Sequence, residues 1–179
     1  MTGRLKLLGD RAAWASARLS WLVERICVVL AILLVLDVWL GVLVRYLIPL
    51  PLTFMEEAAR YLMIWTALLA VSPCISRREH IGVELLFDAF PNKVQRVLLG
   101  VLDVLAIAFF AMLLFYGIGM VEKGARHFTM IYGMTKTIPF AAVPVSAALA
   151  CIQLILVAIR DQARWTSAEG PIEPGKALT

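Results

Sequence analysis

Four long apolar runs limit what this chain can become. They occupy residues 26–44, interrupted only by Asp37; residues 61–76; residues 97–121, which contain Asp103; and residues 138–159, with Pro139 and Pro144 near their start. A helix needs roughly 20 mostly apolar residues to cross the hydrocarbon core of a bilayer. There, every backbone N–H and C=O must be satisfied within the element itself, which favours helices. The second run reaches that length if its helix begins near Met55. The predicted fold is an all-α integral membrane protein, with four transmembrane helices forming a single domain over residues 1–179. Composition agrees. The chain is 61% hydrophobic and 17% charged, with a mean hydropathy of +0.85, against roughly 45–50% and about 25% for soluble domains.

The formal net charge of +4 does not indicate nucleic acid as a partner, because the basic residues cluster just outside the apolar runs and no phosphate-binding or nucleic-acid motif accompanies them. With the N-terminus in the cytoplasm, most of the 17 Lys and Arg fall on the inner side. Arg11, Arg18 and Arg25 lie before the first run, Arg77 and Arg78 after the second, and Arg160 and Arg164 after the fourth. Arg45, Arg60, Lys123, Arg126 and Lys136 fall outside. Both termini are therefore expected to be cytoplasmic. The first run is too long for the core of a signal peptide, and "RYLIPLP" offers no small-residue cleavage site, so an uncleaved span is expected.

Ahead of the first span, Arg4, Arg11, Arg18 and Arg25 recur every seven residues, as do Leu7, Trp14 and Trp21. On a helix the two sets form adjacent, slowly drifting stripes. Indoles at headgroup level beside arginines reaching phosphates describe an interfacial helix over residues 1–25, lying in the membrane plane. Arg11, Trp14, Arg18, Trp21 and Arg25 would then be its lipid anchors. A solvated leader is the alternative. Between the second and third spans, "HIGVELLFDAFPNKVQR" is too short and too charged to cross, and reads as a short amphipathic cytoplasmic-surface helix ending near Pro91. The polar, Pro- and Gly-containing segment 161–179 is expected to be a flexible cytoplasmic tail.

Chemistry-bearing residues are few. Cys27, Cys74 and Cys151 are widely spaced and read as packing residues rather than a redox or disulfide set. Asp37, near the centre of the first span, is either a coupling acid or a carboxyl hydrogen-bonded to another helix. Asp103 lies nearer a helix end and can face the cytoplasmic interface. Glu56 and Arg60 sit four apart, in the favourable order for one helix face. Glu57 points about 100° away, and Thr53 with Glu56 forms a capping box. The expected topology places His80 and His127 on opposite sides of the membrane, which argues against a shared metal or haem site, so no cofactor is expected. No pair of interrupted spans or internal repeat builds a midplane substrate site. A self-sufficient four-helix proton-coupled carrier, dimeric and working through Asp37, is the alternative to a non-catalytic subunit.

The stretch from Arg45 to Pro91 resembles the small membrane subunit (DctQ-like) of tripartite ATP-independent periplasmic (TRAP) transporters. The residues that carry the resemblance are Arg45-Tyr46, Phe54, Glu56-Glu57, Arg60, Trp65, Arg77 or Arg78, His80-Ile81-Gly82-Val83 and Pro91. The "TIPFAAVPVSAAL" opening of the last span adds to it. Phe54 departs from a usual Trp, and "VSPC" from a Gly-Ala-type stretch, introducing Pro73. The resemblance implies a non-enzymatic scaffold for a large transmembrane subunit that carries the sodium and substrate sites. A periplasmic substrate-binding protein would deliver an organic acid to that subunit. It also implies that Arg45, Glu56, Glu57, Arg60, Trp65, Arg77, Arg78 and His80 serve structure or partner contact.

Overall fold

The computed structural model describes residues 2–47, 54–78, 92–128, 133 and 135–166. They form four helices: α1 (Thr2–Leu47), α2 (Phe54–Arg77), α3 (Asn92–Gly124) and α4 (Thr137–Thr166). Each contains a stretch long and apolar enough to cross a membrane. The chain is an all-α membrane protein.

Helix α4 is the hub. Helices α1 and α2 pack against each other and both pack on α4, while α3 packs chiefly on α4. Contacts fix the directions. Ser16 of α1 meets Ser76 of α2 and Gln153 of α4, whereas further along α1 Cys27 meets Thr66 of α2. Helix α1 is therefore antiparallel to α2 and, with Gly9 against Ala163 beyond the Ser16–Gln153 contact, to α4. Asp103 and Asp161 share Arg78 at one end of the bundle while Gly124 meets Phe140 near the other, so α3 is antiparallel to α4.

The helices approach closely because α4 presents small residues. Ala142, Ala147 and Ala150 are almost wholly buried, and Ile75, Ala150 and Leu154 form a core with Val71, Ala106, Ile107 and Phe110 around it. In lipid, such small residues gain dispersion contacts that larger ones would block. At Gly9 a Cβ would stand 2.5 Å from Ala163 Cβ, and at Gly124 it would stand 2.7 Å from the Phe140 ring. Both positions need glycine for the contact to exist. Pro73 and Pro144 lie inside α2 and α4, where each removes a backbone donor.

Two sequence expectations need revision. The in-plane helix over residues 1–25 is not a separate element, because α1 runs unbroken for 46 residues, about 69 Å. Its packed positions, Gly9, Ala12, Ser16, Ser20, Val23, Cys27, Leu30, Leu34, Asp37, Gly41 and Val44, step by three and four residues along one stripe. No proline interrupts them, and the first half is held against α4 through Ser16 and Gly9. The last helix also continues past residue 160 to Thr166, because Asp161 is drawn into ion pairs and Ala163 is buried. The expected cytoplasmic-surface helix ending near Pro91, His80, the Thr53 cap and the tail beyond Thr166 lie outside the described residues.

Candidate functional site: a four-helix ion clasp

Arg78 follows the last turn of α2. Its backbone takes φ of 54°, the left-handed conformation common just past helix ends but costly for a residue with a Cβ. Its N–H donates to the Ile75 carbonyl at 3.1 Å, closing the helix end. This turn aims the guanidinium back between α3 and α4. There Nη1 and Nη2 donate to Asp103 Oδ1 and Oδ2, each at 2.9 Å, and Nε donates to Asp161 Oδ2 at 2.8 Å. The paired fork to Asp103 is the geometry only an arginine supplies. Arg160 donates from Nε to Asp161 Oδ1 at 2.9 Å and from Nη1 to the Ser76 carbonyl at 3.3 Å.

The cluster is balanced, two guanidiniums against two carboxylates, which suits its burial: the Asp161 side chain is only 7% exposed. Burial works against the charged form of Arg78. The hydrogen bonds and charges of Asp103 and Asp161 outweigh it, and its proton is held more tightly than that of a free arginine. Beside the cluster, Arg77 reaches Glu24 of α1 at 2.6 Å in a more exposed pair. The two pairings together tie all four helices at one end.

Next to this clasp lies a buried polar layer. Gln153 is fully buried and donates from Nε2 to Ser16 Oγ at 2.6 Å, to Ser20 Oγ at 3.2 Å and to the Ser16 carbonyl at 3.3 Å. Ser16 and Ser76 hydroxyls pair at 3.2 Å. In hydrocarbon such bonds fix helix partners, because the alternative is an unsatisfied polar group.

At the opposite end, Glu57 is buried and accepts a hydrogen bond from the Tyr61 hydroxyl, one turn on. Glu56 and Arg60 are exposed and, among the described residues, no ion pair joins them. Arg45 is exposed in the last turn of α1, and Trp65 is half-buried. Helical spacing thus located α2's charges without revealing that Glu57 turns inward. Asp37 lies on the packed stripe of α1, and its Oδ2 is buried without a hydrogen-bond partner. The α1–α2 contacts at Cys27–Thr66 and Gly41–Met55 bracket it, which puts it near the level of Glu57.

Of the expected lipid anchors, Arg11, Trp14, Arg18, Trp21 and Arg25 are all exposed. No motif in the sequence sets Asp161 or Gln153 apart, and spacing gives Asp103 no partner. A carboxylate in an apolar run implies a counter-charge, so Asp103 was the available signal. No spacing rule identified Arg78 as its partner, because the pairing depends on the left-handed turn after α2. Among the described residues no three His, Cys, Asp or Glu side chains converge as a metal-ligand set. The clasp's acids are taken by arginines, so its chemistry is cohesion.

Residues 34–164 match the family described as "Tripartite ATP-independent periplasmic transporters, DctQ component". The chain is 28% identical over 107 residues to the isethionate TRAP transporter permease protein DctMQ of Oleidesulfovibrio alaskensis, covering 56% of this chain and 16% of that protein. It is 24% identical over 114 residues to the sialic acid TRAP transporter permease protein SiaT of Haemophilus influenzae, covering 64% and 18%. A protein of Haemophilus influenzae named as a TRAP transporter small permease is 29% identical over 84 residues, covering 47% of this chain and 52% of its own length. The alignments thus span at most about half the length of these relatives.

Proposed function

The chain belongs to the DctQ component family of tripartite ATP-independent periplasmic transporters, and we propose that it is the small scaffold subunit of a sodium-coupled importer of organic acids. In this reading it stabilises a large membrane subunit that carries the sodium and substrate sites, and it helps dock a periplasmic binding protein. It is a transporter component and not itself an enzyme. The bundle sits in the cytoplasmic membrane with the Arg78 end inward. That orientation is supported by the grouping of Arg11, Arg18, Arg77, Arg78 and Arg160 at this end, and of Arg45, Arg60, Lys123 and Arg126 at the other.

One observation carries the scaffold reading. The acids of α3 and α4 at the Arg78 end are bound to the chain's own arginines in a clasp joining the helices. A carrier needs such groups free to exchange cargo or protons. The outer end, with exposed Arg45, Glu56 and Arg60, supplies polar groups for docking a periplasmic protein. The test is co-purification in mild detergent followed by uptake in liposomes. A large many-span partner should copurify, and uptake should require it. Robust uptake by the isolated chain would overturn the reading.

A carrier acting through Asp37 as a homodimer is the second reading, favoured by the unpartnered Asp37 Oδ2. It requires Asp37→Asn to abolish uptake by the chain alone.

A further inference from the structure

We propose that the outward face of the N-terminal half of α1 is a binding site for acidic phospholipid headgroups, with Arg18 and Arg25 as its rungs. It rests on the reading that the bundle spans a bilayer, and is independent of the scaffold role. The guanidinium of Arg18 lies 5.3 Å from the centre of the Trp14 ring, and that of Arg25 lies 5.1 Å from the Trp21 ring. A cation held over an aromatic face is attracted without a conventional acceptor, so its N–H groups keep donors to offer. Among the described residues, no carboxylate pairs with either arginine.

The two rungs are seven residues apart, about 10.5 Å along the helix. The indoles are 64% and 53% exposed. The opposite stripe, Ala12, Ser16, Ser20 and Val23, is buried against the bundle, so the ladder faces the surroundings whatever the tilt of α1.

Its depth makes the arginines' partner a physical requirement. Ser16 is level with Ser76 and Gln153, and Cys27 is level with Thr66. The rungs therefore run beside the apolar runs of α2 and α4, not beyond them. A guanidinium left unpaired beside apolar spans is strongly disfavoured. Each arginine lies over the ring of the tryptophan four residues before it, towards the N-terminal end. Side chains on a helix lean that way, and here it points to the headgroups of the nearer leaflet. Phosphate completes the rung through paired N–H donation. Repeated exposed indoles suit a headgroup layer, where amphipathic rings accumulate, better than the fully desolvated core of a protein interface.

The experiment uses the full chain in nanodiscs of equal phosphatidylglycerol and phosphatidylcholine, with native mass spectrometry counting the lipids retained. Wild-type protein should prefer phosphatidylglycerol by about fivefold per rung, the order expected of one basic residue near an anionic surface. Arg18→Gln with Arg25→Gln should remove most of that preference. Arg126→Gln, exposed in the connection after α3, should keep it. If the double variant does not elute as a single species, wild-type preference at about 0.05 M and about 0.5 M salt decides, since screening should weaken it. No preference in the wild type, a preference indifferent to salt, or one retained by the double variant overturns the proposal. So does a double variant that keeps the lipid preference but loses a copurifying large subunit, which would make the face a protein interface. Failure of the scaffold reading would instead appear as isolated-chain uptake, with lipid preference intact.

Discussion

Arg78 has three tasks in one residue: it ends α2, occupies a left-handed backbone position and holds two carboxylates. Substitutions separate these. Arg78→Ala leaves Asp103 and Asp161 without their shared cation, and removing one partner of a buried pair costs about 3–5 kcal/mol. The Arg78 side chain is 24% exposed, so the expected loss is smaller, roughly 2–3 kcal/mol after allowing for screening. Arg78→Lys keeps the charge but loses the fork, and should fall between Ala and wild type. Arg78→Gly relaxes the backbone yet should resemble Ala, because the clasp, not the turn, dominates. Glu24→Gln opens the more exposed pair with Arg77 and should cost under about 1 kcal/mol. Unfolding in mixed detergent–dodecylsulfate micelles measures all four. An Arg78→Ala value no larger than that of Glu24→Gln would show that the clasp does not hold the helices. The sequence alone offered Arg77 and Arg78 as equals. Only the geometry past the helix end makes one an outward pair and the other the centre of the clasp.

At the scale of elements, the four helices were legible because hydrocarbon demands long uninterrupted apolar runs, and nothing else in the chain supplies them. The extent of α1 was not. The sevenfold spacing of Arg18, Arg25, Trp14 and Trp21 was visible, and it suggested a surface helix. The stripe that decides the matter, Gly9, Ala12, Ser16 and Ser20, is made of small residues whose hydropathy barely signals burial. Its role comes from how near α4 it allows α1 to lie. Gly9→Ala should therefore lower stability by about 1–3 kcal/mol, as overpacking does, because its Cβ would meet Ala163 Cβ at 2.5 Å. Gly100→Ala, in α3 with no atom within 4 Å of the added carbon, should be neutral or stabilising by up to about 1 kcal/mol through helix propensity. The same micelle titration compares them. Equal effects would mean the α1–α4 approach is not tight. Gln153 shows the same limit. A lone amide within an apolar run says that a polar partner is needed, but not that two serines 133 and 137 residues away provide it.

At the scale of the whole molecule, the bundle is cohesive along α4 and apolar outside. Large apolar side chains from Val28 to Leu47 on α1 and from Val97 to Ile118 on α3 are exposed, so lipid or another membrane protein must cover them. A scaffold and a carrier predict different consequences when the bundle is weakened. For a scaffold, Asp161→Asn should reduce the amount of chain and of assembled complex several-fold, since a loss of 1–2 kcal/mol changes abundance on that order. Each complex that does assemble should import at close to the wild-type rate, because Asp161 touches no cargo. Asp37→Asn, which replaces a carboxyl whose Oδ2 is already without a partner, should leave both quantities nearly unchanged. For a carrier the order reverses: Asp37→Asn abolishes uptake while abundance stays normal. Measuring complex yield by affinity capture alongside uptake normalised to captured complex separates the two. A turnover defect in Asp37→Asn at normal yield would remove the scaffold assignment even if a large partner copurifies, because copurification tests company and turnover tests participation.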